Sequence, residues 1–307
     1  MKLSCNHNPT ENIMTILVTG ATGTIGRNVV QQLVQRGAGV RALVRDLAKA
    51  DFPVGVEVVQ GDLLDVDSLR SAFSDVSTLF LLNAVVADEF TQALIALNAA
   101  REAGVDRVVY LSVIHSDVYV NVPHFAGKFG VERLIEQMSE KMGFSATILR
   151  PAYFISNDLT VKDVVLKHGV YPMPIGAKGL AMIATGDIAE IAAVELIHRD
   201  RATRPIPNAR YNLVGPDTLT GQDTAAVWSE VLGRPIAYGG DDIAAFEQNL
   251  RRFMPGWMAY DMRLMAGRFQ SDGMLPEADD VARLTALLKR PLRSYRDFAA
   301  SIAAMGS

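Results

Sequence analysis

Short apolar runs alternate with helical periodicity along the first half of this chain. The runs are rich in β-branched and aliphatic residues and predict six strands, at residues 16–18, 39–44, 56–60, 77–82, 107–113 and 145–149. Apolar positions between them recur with a helical period and predict four helices, at residues 27–36, 65–73, 90–103 and 125–142. Asp65 is placed to cap one helix, Gly104 and Gly143 to end two others, and Pro151 to stop the sixth strand. The alternation predicts an α/β fold with a parallel, doubly wound sheet of the Rossmann type.

Beyond Pro151 the alternation loosens. The predicted elements are mostly helical, with helices at residues 187–198 (amphipathic), 220–232, 243–253, 256–269 and 280–288 and short strands at 211–214 and 235–238. This change of pattern predicts a sheet domain at residues 14–153 and a smaller, mostly helical lobe at 154–307, partly interleaved with it.

Glycines spaced G-x-x-G-x-x-G join the first strand to the first helix. Gly20 permits a tight turn, Gly23 lets backbone N–H groups approach a pyrophosphate, and Gly26 lets the helix pack on the sheet. The pyrophosphate would lie at the positive end of the helix. The residues predicted to bind it share this turn and are Gly20, Thr22, Gly23, Thr24, Ile25 and Gly26. The alternative is a turn without a ligand, but the flanking strand and helix favour an NAD(P)-binding domain at residues 14–153.

The end of the second strand decides between the two dinucleotides. An acidic residue there binds the ribose hydroxyls of NAD, whereas an arginine accommodates the 2′-phosphate of NADP. Arg45 follows the strand directly, with Lys49 one turn later, so we predict a preference for NADP(H) over NAD(H). The alternatives are a solvated loop arginine and an Asp46 that faces the ribose.

Two further loops meet the predicted dinucleotide. Asp62 and Leu63 follow the third strand, where they are placed to contact the adenine, although Asp62 is equally suited to a turn or a helix cap. Asn83 ends the fourth strand, where the chain passes the middle of the cofactor; its alternative is an ordinary loop asparagine.

Composition narrows the function classes. The formal net charge is −4 over 307 residues, without a basic block, which argues against a nucleic-acid partner. Cys5 is the single cysteine, so neither a disulfide framework nor a thiolate metal cluster is expected. The five histidines lack metal-binding spacing and lie at positions 7, 115, 124, 168 and 198. We therefore predict no metal site.

Location and assembly follow from weaker signals. No apolar run is long and apolar enough to span a bilayer, and residues 1–13 lack the apolar stretch of a signal peptide. We expect residues 1–13 to be a dispensable N-terminal extension of a cytoplasmic protein without a membrane partner. A small-molecule substrate and a monomer or homodimer are the expected partners.

Several segments together resemble the NmrA-like family of atypical short-chain dehydrogenases/reductases. They cover most of the chain from residue 14 to about residue 300 and are TGATGTIG at 19–26, Val44-Arg45, Gly61-Asp62, FAGK at 125–128 with Glu132, LRPAYF at 149–154, YNLVGP at 211–216 and LGRP at 232–235. The resemblance implies NADP binding and a small C-terminal substrate lobe. Members of the family are either reductases of quinones, dyes or phenylpropanoid ethers, or regulators that sense the NADP state.

The usual catalytic tyrosine of short-chain reductases is missing. A Tyr-x-x-x-Lys pair places both side chains on one helix face, but here His124 precedes Lys128 by four residues. The resemblance implies that Lys128 holds the nicotinamide ribose and acts in proton transfer; the alternative is an exposed lysine paired with Glu132. His124 is a candidate acid or a helix-start residue without a role. Ser112 is a candidate carbonyl-orienting hydroxyl or a plain strand-end serine.

Four residues are predicted to contact the substrate. His115 lies three residues beyond Ser112, and Tyr153, which is also a candidate nicotinamide contact, precedes Phe154 between the lobes. Buried packing is the alternative for Tyr153. Trp257 begins a Met- and aromatic-rich stretch that extends to Phe269, which suits either a core or an apolar pocket.

The sequence thus predicts an NADPH-dependent reductase that uses neither flavin nor metal. A flat, electron-poor acceptor such as a quinone or azo compound needs orientation more than a strong acid, which suits a site without the tyrosine. The main alternative is a non-catalytic NADP(H)-sensing regulator. A third is an ordinary carbonyl reductase in which His124 replaces the tyrosine.

Overall fold

A seven-stranded parallel sheet forms the centre of the protein. A computed structural model describes residues 15–306. The strands are β1 (Thr15–Val18), β2 (Gly39–Val44), β3 (Glu57–Gln60), β4 (Thr78–Leu81), β5 (Arg107–Leu111), β6 (Ser145–Pro151), β7 (Val170–Tyr171), β8 (Ala209–Leu213) and β9 (Ala237–Tyr238). The sheet order is β3-β2-β1-β4-β5-β6-β8, and β7 pairs with β9 in a separate parallel ribbon. This order is the predicted doubly wound Rossmann arrangement with one added strand.

Helices cover both faces of the sheet and build the second lobe. They are α1 (Thr24–Gln35), α2 (Val66–Ala72), α3 (Glu89–Glu102), α4 (Pro123–Met142), α5 (Thr185–Asp200), α6 (Gly221–Leu232), α7 (Ile243–Leu250), α8 (Gly256–Ser271), α9 (Asp280–Leu288) and α10 (Tyr295–Gly306). Within residues 15–306, none of these helices is both long and apolar enough to cross a bilayer.

The structure confirms the predicted N-cap of α2 and the predicted end of α4. The Asp65 carboxylate accepts hydrogen bonds from the N–H groups of Asp67 and Ser68 at the start of α2. Gly143 ends α4 with φ of 77°, a left-handed conformation that glycine adopts without a steric penalty.

Alternating residues of β1 serve two cores. Ile16 and Val18 pack on the side of α1 and α5, in a core that continues into the second lobe, whereas Leu17 packs with α2, α3 and α4 on the other face. All three side chains are fully buried. Because both faces are covered, the carboxyl-terminal edge of the sheet is the part of it available to a ligand.

Three sequence predictions need correction. The sixth strand does not stop before Pro151, since the carbonyl of Pro151 accepts a hydrogen bond from Ile114 and the residue pairs in register with Leu213. The helix predicted at 187–198 is α5, and it is buried on most sides rather than amphipathic because it lies between α1 and α9 against the sheet. The final helix α10 was not predicted.

The strand predicted at 211–214 belongs to the main sheet. β8 pairs with β6 along its whole length. The chain therefore returns to the seven-stranded sheet after it has formed part of the second lobe. The Met1–Ile13 extension and Cys5 lie outside the described residues.

A buried polar network stabilises the second lobe. The Asp158 carboxylate accepts hydrogen bonds from the hydroxyls of Tyr153 (2.7 Å) and Tyr295 (2.5 Å), and the Trp228 indole donates to Tyr295. Burial raises the pKa of Asp158, while the two tyrosine hydrogen bonds act in the opposite direction. Through Tyr295, α10 is fixed to the segment that follows β6.

Candidate dinucleotide site at the carboxyl edge of the sheet

Two glycines of the turn after β1, Gly20 and Gly26, are packed too closely for a side chain. Gly20 has φ of 60° and lies against Leu82, whose carbonyl oxygen would be 3.0 Å from an added Cβ. A Cβ on Gly26 would lie 2.1 Å from the carbonyl oxygen of Gly20 and 2.8 Å from the Cα of Ala21. The first turn of α1 therefore rests directly on the glycine loop.

The amino end of α1 is left open. Gly23 is the N-cap residue and has no side chain to cap the helix, and the first turn carries no acidic residue. The first N–H groups of a helix have no partner within it, and they carry the positive end of the helix dipole. Thr24, Ile25 and Gly26 present these groups, and Gly23 and Thr24 are solvent-exposed.

Asn83 is a buried side chain without a partner. It is 6% exposed, and neither its Nδ2 nor its Oδ1 has a hydrogen bond within the described residues. Just before it, the Thr19 hydroxyl accepts the Leu82 N–H (2.8 Å) and donates to the Leu82 carbonyl, which ties the end of β4 to the glycine turn. A buried amide without hydrogen bonds lowers the stability of a protein. The position of Asn83 therefore suits a residue that hydrogen-bonds a ligand.

We expect Asn83→Leu to stabilise the free protein while it weakens NADPH binding. Removing an unpaired buried amide should raise the free energy of unfolding by about 1–3 kcal/mol, whereas the NADPH dissociation constant should rise about tenfold. Thermal unfolding without ligand and calorimetric titration measure the two quantities. Asn98→Leu, on the exposed face of α3, is the control and should change neither. A destabilised free protein would contradict the prediction.

The loop after β2 is held against the glycine turn by Arg27. The Arg27 guanidinium donates to the carbonyls of Thr22 (3.0 Å), Asp51 (2.9 Å) and Lys49 (2.9 Å). This contact fixes the distance between the turn and the segment that follows the second strand.

Arg45 lies exposed on that loop. Its guanidinium has no hydrogen-bond or ion-pair partner in the described part of the chain, whereas the Asp46 carboxylate accepts the Ala48 N–H (3.0 Å) and lies 3.9 Å from Lys49. Asp46 thus caps a short 3₁₀ turn. The geometry leaves Arg45 as the unpaired cation at the predicted ribose position.

Asp62 forms hydrogen bonds within its own loop. Its Oδ1 accepts the Leu64 N–H at 2.9 Å, and its backbone N–H donates to Ser68 Oγ. Leu63 is half-buried against the core on the α2 side. Asp62 therefore has the turn role, and a contact with adenine stays a prediction for both residues.

These features together fit a dinucleotide. Gly20 and Gly26 let the turn pack directly against the start of α1, Gly23 is an exposed N-cap without a side chain, α1 offers uncapped N–H groups, and Asn83 has unused donor and acceptor atoms. No group of three or more His, Cys, Asp or Glu that could hold a metal ion occurs in the described residues.

Lys128 is buried and paired with a residue that sequence spacing did not indicate. Its Nζ lies 2.5 Å from the Glu89 carboxylate at the start of α3, and both residues are 8% exposed. The ammonium also lies 6.0 Å above the Tyr110 ring. The alternative of an exposed lysine paired with Glu132 is therefore wrong.

Glu132 instead has its own buried partners. Its carboxylate accepts hydrogen bonds from Arg150 Nη2 (2.5 Å) and Nε, from Ser112 Oγ and from Ser116 Oγ (3.2 Å). The cluster joins α4 to the ends of β5 and β6. The Ser112 hydroxyl donates its hydrogen bond to Glu132 within this cluster. The orientation of a substrate carbonyl by Ser112 stays a prediction.

His124 forms a pair with a carboxylate from the second lobe. His124 Nδ1 is hydrogen-bonded to Asp261 Oδ2, and the backbone N–H of His124 donates to Asp261 Oδ1 at 3.1 Å. The Asp261 side chain, on α8, is fully buried. This pair connects the start of α4 to the helical lobe.

His115 lies in the loop between β5 and α4. It has φ of 57°, and its ring packs against Tyr119. Burial lowers the pKa of His115 below the ordinary imidazole value, against the opposing effects of its hydrogen bond with the Leu275 backbone and of the nearby Asp117 carboxylate. A neutral imidazole is therefore favoured near pH 7.

The remaining predicted substrate residues differ in exposure. Tyr153 is 5% exposed, with its hydroxyl on Asp158 and its ring edge-on to Phe269, so it has the packing role that was its alternative. Phe154 is half-buried, and Trp257 is 41% exposed at the start of α8. Contacts of Tyr153, Phe154 and Trp257 with a substrate stay predictions.

Sequence comparison decides the family. The profile of the NmrA-like family matches residues 13–297. The chain belongs to the NmrA-like family. The family resemblance predicted from the glycine turn and the FAGK segment is confirmed.

Relatives of the NmrA-like protein align over nearly its whole length. The NAD(P)H azoreductase of Xenophilus azovorans is 30% identical over 295 residues, which cover 94% of this chain and 98% of that protein. Quinone oxidoreductase 2 of Escherichia coli K12 is 31% identical over 287 residues, covering 90% and 94%. The crystal structure of an E. coli NADPH-dependent quinone oxidoreductase complexed with NADPH has a TM-score of 0.80 at 24% identity, covering 95% of this chain and 100% of that one. The shared fold confirms the Rossmann prediction.

Three residues of the site were missed at the sequence level. Each forms hydrogen bonds with residues distant in the sequence or with backbone carbonyls. No local spacing therefore marks Glu89, Asp261 or Arg27. The available signal was position alone: Arg27 directly follows the glycine turn, Glu89 directly precedes the helix predicted at 90–103, and Asp261 lies in the Met- and aromatic-rich stretch.

Proposed function

We propose that this NmrA-like protein is an NADPH-dependent reductase of flat, electron-poor small molecules such as quinones or azo compounds. The observation that carries the proposal is the alignment over almost the full length with an NAD(P)H azoreductase and a quinone oxidoreductase. The chain is accordingly an oxidoreductase. The open α1 terminus and the unpaired Asn83 support the binding of a dinucleotide at the carboxyl edge of the sheet.

The kind of acceptor follows from the groups that the site has and lacks. No Tyr-x-x-x-Lys pair is present to protonate an ordinary ketone. Quinones and azo compounds spread the incoming charge over their own π-system, so correct placement contributes more than a strong acid. The half-exposed aromatic surface at the start of α8, with Trp257 and Tyr260, suits a flat ligand.

The chain's own residues have distinct roles in this proposal. The bound dinucleotide would supply the hydride. The glycine turn and the α1 amino end hold the pyrophosphate, Asn83 hydrogen-bonds the middle of the cofactor, and Arg45 pairs with the 2′-phosphate. Lys128, already oriented by Glu89, holds the nicotinamide ribose.

NADPH absorbance, followed with purified protein and a panel of quinones, azo dyes and aldehydes, tests the proposal. Turnover with quinones or azo dyes, and little with aldehydes, is the expected result. Tight dinucleotide binding without turnover on any acceptor would overturn it in favour of an NADP(H)-sensing regulator. Turnover confined to aldehydes would instead favour an ordinary carbonyl reductase.

Arg45→Ala should weaken NADPH binding by about tenfold or more and leave NADH binding within about twofold, because only NADPH carries the 2′-phosphate. Titration of both dinucleotides against both proteins measures the difference. Arg70→Ala, a similarly exposed arginine on α2, is the matched control. Equal affinities of the unmodified protein for NADPH and NADH would contradict the prediction.

A further inference from the structure

The pair formed by His124 and Asp261 has a geometry that helix capping alone does not require. α4 begins at Pro123, which has no N–H, and its N-cap residue Val122 provides no side-chain cap. Asp261 Oδ1 fills this role by accepting the His124 N–H. The second oxygen of the same carboxylate is hydrogen-bonded to the imidazole Nδ1, so it fixes the ring as well as the helix.

The ring is held so that its other nitrogen is free. His124 Nε2 has no hydrogen-bond partner among residues 15–306, while the side chain as a whole is only 10% exposed. A carboxylate on Nδ1 selects the tautomer that carries its proton there. Asp261 itself is fully buried, so this interaction is shielded from solvent.

The pair lies where the sheet domain meets the second lobe. His124 is one helical turn before Lys128, so both side chains lie on one face of α4. The loop that leads into α4 comes from the carboxyl end of β5, the edge of the sheet at which the dinucleotide is proposed to bind. α8 brings Asp261 to this point from the lobe that carries Trp257.

We infer that Asp261 is a positioning residue that holds His124 as the proton donor to the reduced acceptor. The inference rests on the proposed reductase function and names the group that completes it. A bound reduced dinucleotide would supply the hydride, and His124 supplies the proton that the acceptor also needs. The donor is the doubly protonated ring: its Nε2–H bond breaks, an O–H or N–H bond forms on the acceptor, the neutral ring keeps its Nδ1 proton toward Asp261, and a proton from solvent then restores Nε2–H.

Asp261→Asn separates the capping function from the ring function. The amide oxygen can still accept the His124 N–H, but the amide nitrogen is a donor and pairs with an unprotonated Nδ1, which moves the proton of the neutral ring to Nε2. Proton delivery from that tautomer would leave an unfavourable imidazolate. We expect kcat to fall about a hundredfold or more, with KM and the NADPH dissociation constant within about twofold.

The tautomer is measured separately from activity. Nitrogen NMR of histidine-labelled protein without ligand, with the signal assigned through His124→Gln, should report a proton on Nδ1 in the unmodified protein and on Nε2 in Asp261→Asn. The matched control is Asn121→Ala, which removes the hydrogen bond from Arg268 of α8 to the segment before α4 but leaves the ring alone. It should keep the kcat and the tautomer of the unmodified protein.

The outcomes are distinguishable. If the unmodified protein reduces no acceptor, the proposed function fails before any variant is compared. If the unmodified protein is active and Asp261→Asn moves the proton to Nε2 without lowering kcat, only the inference is overturned. A loss of kcat that Asn121→Ala reproduces would also overturn it, because loosened packing between α4 and α8 would then explain the effect.

Discussion

Gly26→Ala is expected to weaken NADPH binding by about a hundredfold or more. The new methyl group would lie 2.1 Å from the Gly20 carbonyl oxygen, so α1 and the glycine turn must separate by about 1 Å to restore van der Waals contact. Displacement on this scale disrupts the alignment between the helix N–H groups and the pyrophosphate and costs about a hundredfold or more in affinity. Fluorescence or calorimetric titration with NADPH measures the effect.

The stability of this variant is part of the prediction. Forcing a methyl group into a closely packed position lowers the free energy of unfolding by about 1–3 kcal/mol, which a domain of this size tolerates. Gly267→Ala, within α8, is the matched control. The new Cβ would be 3.8 Å from the Ile243 side chain of α7, an ordinary contact, so this substitution should stabilise the helix by up to about 1 kcal/mol. Gly26→Ala protein that binds NADPH with unchanged affinity would show that the turn does not hold the pyrophosphate.

Lys128→Met is expected to lower kcat by about a hundredfold or more and also to destabilise the fold. The ammonium is buried against Glu89, so its removal leaves a carboxylate without a counter-charge, at an expected cost of about 3–5 kcal/mol. The loss of activity follows from the loss of the group that holds the nicotinamide ribose. Steady-state kinetics and thermal unfolding measure the two effects.

The double variant Lys128→Met, Glu89→Gln separates these effects. Neutralising both partners removes the uncompensated buried charge, so most of the lost stability should return. The activity should not return, because neither substitution restores a cation. A double variant with the kcat of the unmodified protein would show that Lys128 is only a structural partner of Glu89.

The elements that could be predicted from the sequence are those whose causes are local. The glycine spacing before α1 determines the turn by sterics between neighbouring residues, and Asp65 caps α2 through N–H groups two and three residues away. Strand and helix periodicity likewise depends on adjacent positions, so the Rossmann alternation was recognisable.

The pairing of charges could not be predicted because it depends on tertiary distance. On a helix, Lys128 and Glu132 are i,i+4 neighbours and would pair if both were exposed. In the fold, Arg150 binds Glu132 with two guanidinium nitrogens, and Glu89 lies beside Lys128. The buried tertiary contacts of Lys128 and Glu132, rather than their spacing on the helix, determine their partners.

The role of α5 was misjudged for a similar reason. Polar residues such as Asp187 and Glu195 gave its sequence an apparent solvent face, but both side chains are buried. Asp187 receives hydrogen bonds from Arg290 and Arg293, and Glu195 receives one from Thr147. A helix whose buried polar residues are satisfied by other segments cannot be recognised from its own pattern.

The late return of the chain to the sheet has a consequence for synthesis. α5 covers the apolar side of α1, and β8 completes the sheet beside β6, yet both are made long after the glycine turn. A chain emerging from the ribosome exposes the apolar face of α1 until about residue 200 has been added. The sheet domain therefore cannot complete its packing during translation until the chain has been made through β8.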